Sequence, residues 1–176
     1  MVFLYECCQT LPSYAELGKK NSFPELEQCP QCKARNRLKR HGFYFRYAVE
    51  GEVVYQIPIC RLKCPSCKRT VSLLPDFLIP YFQHTLHTVI TWLKDKLSNS
   101  TSHRSRQLAW FYLKRFFRQL NQVEMFFRAL GWKEKSPSQI KEKAIKLLEM
   151  IRLFGEAPFL RKSRGHFKSN FMASHE

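Results

Sequence analysis

Two short motifs, Cys29-Pro30-Gln31-Cys32 and Cys64-Pro65-Ser66-Cys67, carry the clearest chemistry in this sequence. A Cys-x-x-Cys turn brings two thiols to one side of a tight bend. Two such turns supply four sulfurs, the donor set of a closed tetrahedral Zn²⁺ site. One isolated pair would be weak evidence. Two pairs, each with Pro after the first Cys and each set among Lys and Arg, predict one structural Zn²⁺ held by Cys29, Cys32, Cys64 and Cys67. Four thiolates leave no open position for water, so the expected role is structural rather than hydrolytic. A thioredoxin-like redox pair would need a single motif in a βαβ setting. A disulfide framework fits poorly with seven cysteines, an odd number. Nor is a secretory leader expected, because Met1-Val2-Phe3-Leu4-Tyr5 is short and lacks a basic start.

The other three cysteines read as ordinary thiols. Cys7 and Cys8 are adjacent and cannot clamp a metal as a knuckle does. Cys60 stands four residues before Cys64, close enough to compete for the metal, but Tyr55–Leu62 around it reads as a strand. A strand position is preferred for it.

No catalytic constellation accompanies the thiols. Metal-dependent transposases and nucleases hold two divalent ions with clustered carboxylates. Here the only aspartates are Asp76 and Asp95, and the glutamates are scattered. His103-Arg104-Ser105-Arg106 contains the His-x-x-Arg of tyrosine recombinases, but Tyr112 lies too near on the same expected helix. His84 and His87 have no carboxylate partner in sequence and read as solvated or phosphate-facing. The expectation is a protein that is not an enzyme.

Charge points to the partner. Thirty Lys and Arg against fourteen Asp and Glu give a formal +16 over 176 residues, with a pI near 9.8. The excess begins where the first knuckle begins: residues 1–28 hold two basic and four acidic side chains, residues 29–80 ten and three. Such a field attracts polyanions. The candidate nucleic-acid contacts on the expected β segment are Arg37, Lys39, Arg40, His41, Arg46, Arg61, Lys63, Lys68 and Arg69, interleaved with Phe43, Tyr44, Phe45 and Tyr47. Cations fix register on phosphates; the aromatics either stack on bases or simply hold the hairpin.

The elements that must position these residues follow from pattern. Thirty-one residues separate the knuckles, more than the usual ~15–20, and the excess reads as a β-hairpin. Its strands are Leu38–Tyr47 and Val53–Leu62, with Glu50-Gly51 as the turn. Val71–Leu74 adds a short strand, and Pro75 and Pro80 close the module. After Pro80 the period becomes helical. One helix over Tyr81–Leu97 buries Leu86, Val89, Ile90, Leu93 and Leu97. After the polar residues 98–102, a second runs from about His103 to Leu130, its apolar stripe formed by Ala109, Leu113, Phe116, Phe117, Leu120, Val123, Phe127 and Leu130. Gly131 suits its C-terminal cap. A third begins with Ser136 as N-cap and Pro137 at the first helical position, burying Ile140, Ala144, Leu147, Leu148, Ile151 and Phe154 before Gly155. A helix, a polar turn and a basic helix start suggest a helix-turn-helix. In it Arg104, Arg106 and Gln107 would meet base edges, and Lys114 and Arg115 phosphates.

The predicted architecture is α+β: an N-terminal extension (1–28), a four-Cys β zinc ribbon (29–80), a small all-α helix-turn-helix-like bundle (81–155) and a basic tail (156–176). No run approaches the ~18 apolar residues of a membrane span, so no membrane partner is expected and the cytoplasm is the expected compartment.

Beyond these patterns, the sequence resembles a known bacterial family. The likeness is carried by the two Cys-Pro-x-Cys knuckles, Lys39-Arg40-His41-Gly42-Phe43-Tyr44-Phe45-Arg46, Ile57-Pro58, Arg61, Thr70 and Leu74-Pro75-Asp76-Phe77-Leu78-Ile79-Pro80-Tyr81. Phe111-Tyr112-Leu113-Lys114-Arg115-Phe116 extends it into the helical part. Roughly residues 25–130 look like the small zinc-ribbon proteins of insertion sequences and related mobile elements, often labelled transposase or domain of unknown function. The resemblance implies zinc binding by Cys29, Cys32, Cys64 and Cys67. It further implies duplex DNA binding in the service of a mobile element, without a cutting domain, alongside a recombinase or integrase encoded nearby. Two other readings stay open: an RNA- or ribosome-associated zinc ribbon, and a protein-interaction module recruiting through the aromatic stripe of 109–130.

Overall fold

A computed structural model describes residues 1–98, 106–167 and 170–173. The chain divides into two compact units, Met1–Leu78 with Phe82–His84, and Ile79–Tyr81 with Thr85–Glu176. The class is mixed α+β, with one four-stranded sheet and five α-helices among the described residues.

The first unit is built on a long hairpin. Strand β2, Lys39–Glu50, pairs antiparallel with β3, Val53–Lys63, through a two-residue loop, Gly51-Glu52. The β-branched and aromatic residues that predicted these strands favour the pleated, half-buried surface they occupy. Near the start of β2 the register slips between Arg40 and Gly42, so His41 is an extra residue in the ladder. Gly42 sits there at φ 129°, a conformation a side chain would resist. Strand β4, Thr70–Pro75, pairs antiparallel with β3 and parallel with β1, Val2–Tyr5, giving the order β1-β4-β3-β2. Strands β1 and β2 are therefore the two edges of the sheet.

Residues 1–28, expected as an extension, belong to this unit. They provide β1 and helix α1, Leu11–Leu17, which starts where the Thr10 hydroxyl accepts from the Ser13 N–H at 3.4 Å. The Tyr14 side chain of α1 is fully buried and its hydroxyl donates to the Pro58 carbonyl in β3 at 3.0 Å. It meets Phe77 at 5.7 Å between ring centroids, and the core beneath holds Ile57, Ile59, Leu73 and Leu74. Cys60 lies in β3, fully buried, as its strand pattern indicated.

The second unit is helical. Helix α2 runs over Leu86–Leu97, shorter than expected, because Thr85 caps it through a bond from the Thr88 N–H at 3.2 Å. Its expected face is buried, joined by Trp92. Helix α3 is Arg106–Ala129. Its buried face is Tyr112, Leu113, Phe116, Gln119, Leu120, Val123, Phe126 and Phe127, a wider stripe than expected, while Leu130 is exposed. Gly131, at φ 98°, ends it, with the Trp132 N–H returning to the Phe127 carbonyl at 3.1 Å.

Helix α4, Ile140–Phe154, begins four residues later than its predicted cap. The Ser136 hydroxyl donates to Glu124 at 2.7 Å instead, so that bond replaces the cap, and Ile140 is exposed. The segment expected as a basic tail, 156–176, opens with helix α5, Glu156–Lys162, whose Phe159 is fully buried and packs on Phe126, Phe127 and Phe171. No described helix is long and apolar enough to cross a membrane.

Candidate metal centre and cationic face

Each knuckle is a reversed turn closed by the same two backbone bonds. In the first, the Lys33 N–H donates to the Cys29 carbonyl at 2.9 Å, and the Cys29 N–H to the Ala34 carbonyl at 3.0 Å. In the second, the Lys68 N–H donates to Cys64 and the Cys64 N–H to Arg69, both at 3.0 Å. Lys33 and Lys68 occupy the same left-handed conformation, φ 62° and 59°. The second knuckle is the connection between β3 and β4, so the sheet itself aims Cys64 and Cys67. The first precedes β2 and is tied back where the Leu38 N–H donates to the Leu26 carbonyl at 2.8 Å. A side-chain bond, Asn36 Nδ2 to Ser66 Oγ at 2.8 Å, joins the two knuckles. Sequence reading did not single out that pair.

The four sulfurs lie within 4.8 Å of one another. Cys29 Sγ is 3.9 Å from Cys67 Sγ, and Cys32 Sγ is 3.8 Å from Cys64 Sγ. Four sulfurs at the vertices of a tetrahedron with bonds of about 2.3 Å stand about 3.8 Å apart, so this spacing fits a four-coordinate ion. Among the described residues, no other group of three or more His, Cys, Asp or Glu side chains is close enough to share one. Cys60 is outside the cluster.

Electrostatics agree with a cation site. The backbone N–H of Cys67, followed by that of Ser66, donates to Cys64 and pulls its thiol down to about 6. The N–H of Cys32 lowers Cys29 in the same way. Cys67 receives an N–H from Arg69, which favours the thiolate. Burial and the neighbouring thiols outweigh it and push Cys67 up to about 11. Four thiolates this close repel one another, and a divalent cation is what lets all of them ionise together.

The expected cations divide by what the fold does with them. Lys39 stands directly opposite Lys63 across the β2–β3 ladder, and Arg61, two residues before Lys63, shares that face. Lys39 and Lys63 are exposed and form no ion pair among the described residues. Arg61 donates to the Thr70 hydroxyl at 3.3 Å. Lys68 and Arg69 on the second knuckle and His41 in the bulge are exposed. Arg40 stands over the rings of Phe23 and Phe43, 5.9 and 5.8 Å from their centroids. Arg37 pairs with Glu25, both well exposed.

Two expected contacts are engaged within the fold instead. Arg46 is half-buried, its guanidinium donating to the Phe82 carbonyl, and burial lowers its pKa. Arg115 lies 4.3 Å over the Phe111 ring and donates to the Met172 carbonyl at 3.1 Å. Both side chains anchor later segments that a sequence pattern cannot place beside them. In the second unit, Arg106, Gln107 and Lys114 are exposed on α3, and Arg104 lies outside the described residues. Of the hairpin aromatics, Phe43 packs on Phe23 at 5.5 Å, whereas Phe45 and Tyr47 are about half exposed, at 51% and 54%.

Residues 29–111 match a family described as a domain of unknown function (DUF6431). The matched span begins at the first metal-site cysteine and contains both knuckles, the hairpin, β4, α2 and the start of α3. Comparisons with the curated proteins and with the solved structures each find no match.

Proposed function

We propose that this chain is a DNA-binding protein of a mobile element, its sheet organised as a zinc ribbon and its chemistry limited to recognition. Cys29, Cys32, Cys64 and Cys67 would hold one Zn²⁺, which when bound cross-links the entry to β2 with the β3–β4 turn. The observation that carries the reading is the pairing of Lys39 with Lys63. Like charges directly opposite on antiparallel strands destabilise a hairpin, and a phosphate backbone relieves that repulsion by bridging them. Arg61 extends the pair along the same face, and Lys68 and Arg69 border it from the knuckle. The helix-turn-helix reading adds Arg106 and Gln107, exposed in the first turn of α3, as base-edge contacts. Four cysteines on one metal site and three further thiols, Cys7, Cys8 and Cys60, suit a reducing compartment, the cytoplasm. The insertion-sequence resemblance supplies the mobile-element role, with a separate recombinase doing the cutting.

A salt titration tests this. Affinity for duplex DNA should fall with a log–log slope of about −0.9 per phosphate neutralised, and Lys63→Ala should flatten it by about one unit for every sequence alike. Arg106→Ala should cost about 1–3 kcal/mol on the element's terminal sequence and little on random DNA. A preference for RNA duplex over both would move the protein to the ribosome- or RNA-associated reading. Salt-independent binding would overturn the nucleic-acid reading altogether.

A further inference from the structure

On the opposite face of the same sheet end lies a solvent-open groove of about 500 Å³. Arg40 pairs with Leu62 and Phe43 with Cys60 across the ladder, so the Arg40, Leu62, Cys60 and Phe43 side chains share the face turned away from Lys39 and Lys63. The groove is walled by Phe23, Leu38 and Leu62, reaches down to the buried Cys60, and has Arg37, Lys39 and Arg40 in its lining. One acid, Glu25, also lines it and is paired with Arg37. Its contents define a ligand with a flat apolar body and a negative charge. The Phe23 ring stands in the groove wall with the Arg40 guanidinium over it, 5.9 Å from its centroid, so a base would stack against this pair and its phosphate would meet the guanidinium.

Volume and access narrow the class. A groove of this size admits one nucleotide and excludes a double helix, and it lies within the usual range for small-ligand sites. β2 is an edge strand, so a nucleic-acid strand passing around it would reach from the Lys39–Lys63 face to the groove. We infer that the groove receives an unpaired nucleotide, the single-stranded end of a DNA whose duplex part rests on the lysine face. This rests on the nucleic-acid reading and adds to it a preference for DNA ends that are not blunt.

The test uses the zinc-loaded full-length protein with a blunt duplex and with the same duplex carrying a short single-stranded end that contains a fluorescent base analogue. The frayed-end DNA should bind about tenfold tighter, the scale of one base stacked on an aromatic ring. The analogue's emission should be quenched on binding. Phe23→Ala removes the stacking wall, and Cys60→Leu, at a buried position beneath the groove, raises its floor. Each should abolish the preference and the quenching while leaving blunt-duplex affinity as it was. Equal affinity for both DNAs in the wild-type protein, with duplex binding intact, overturns the groove and leaves the DNA reading standing. Binding to neither DNA at low salt overturns both. Should Cys60→Leu fail to fold, Phe23→Ala and the quenching decide alone.

Discussion

Glu124 shows how a single side chain can set the pH response of this protein. Its carboxylate accepts from Arg128 one turn along α3, at 2.6 Å, from Ser136 at 2.7 Å, and pairs with Lys143 on α4. Lys143, with the hydroxyl and guanidinium behind it, holds the group at about 2, below its usual 4.5. A depressed carboxylate stabilises the fold above the unfolded-state value, and that stability is lost as pH falls from about 4.5 toward about 2. The carboxyl is only 13% exposed, so little of the effect is screened by solvent. Glu124→Gln should therefore destabilise the helical unit at neutral pH by on the order of 2 kcal/mol, with the deficit closing by pH 2. Denaturant titration followed by tryptophan emission measures it. An unchanged midpoint at pH 7 would mean the three partners contribute nothing net.

At the scale of elements, β1 is four residues long yet ties the sheet together. The Ser72 N–H donates to the Met1 carbonyl at 2.9 Å, the Asp76 N–H to Tyr5 at 3.1 Å, and Leu4 and Tyr5 are buried. Removing residues 1–9 should destabilise the first unit by on the order of 3 kcal/mol, the burial of two large side chains, and speed amide exchange along β4. Exchange in β4 as slow as in the intact chain would contradict that role. This strand was also the least legible in the sequence. Val2–Tyr5 is too short to show a period, and its parallel partner lies some seventy residues away. The hairpin was legible because β-branched runs flank a glycine turn, and the thiol cluster because its spacing is local and repeated. The start of α4 misled because Ser136 and Pro137 carry cap chemistry, yet the Ser136 hydroxyl has a better acceptor in Glu124. Arg46 and Arg115 look like any surface cation in sequence; what diverts them is a carbonyl brought near by the fold.

Across the whole molecule, the thiol cluster lies in one unit and helices α2, α3, α4 and α5 in the other, and that separation has a measurable consequence. The thiol cluster ties the entry to β2 to the β3–β4 turn, beside the Asn36–Ser66 bond and the ladder that starts at Lys39 and Lys63. The second unit has its own apolar core, dense in Phe116, Phe126, Phe159 and Phe171, and needs no cross-link. Its helices α2, α3, α4 and α5 span 12, 24, 15 and 7 residues, against 7 for α1, so the helical circular-dichroism signal reports mainly on it. All three tryptophans, Trp92, Trp110 and Trp132, lie there too. The protein purified under reducing conditions should carry one metal ion per chain. A strong chelator should then expose the amides of β2, β3 and β4 to exchange while helical signal and tryptophan emission stay near their starting values, because metal-binding free energy is folding free energy only for the unit that holds the ligands. Cooperative loss of all three signals on chelation would show that the helical unit depends on the thiol cluster. Metal content near zero, with the sheet still protected, would show that the cluster holds no ion at all.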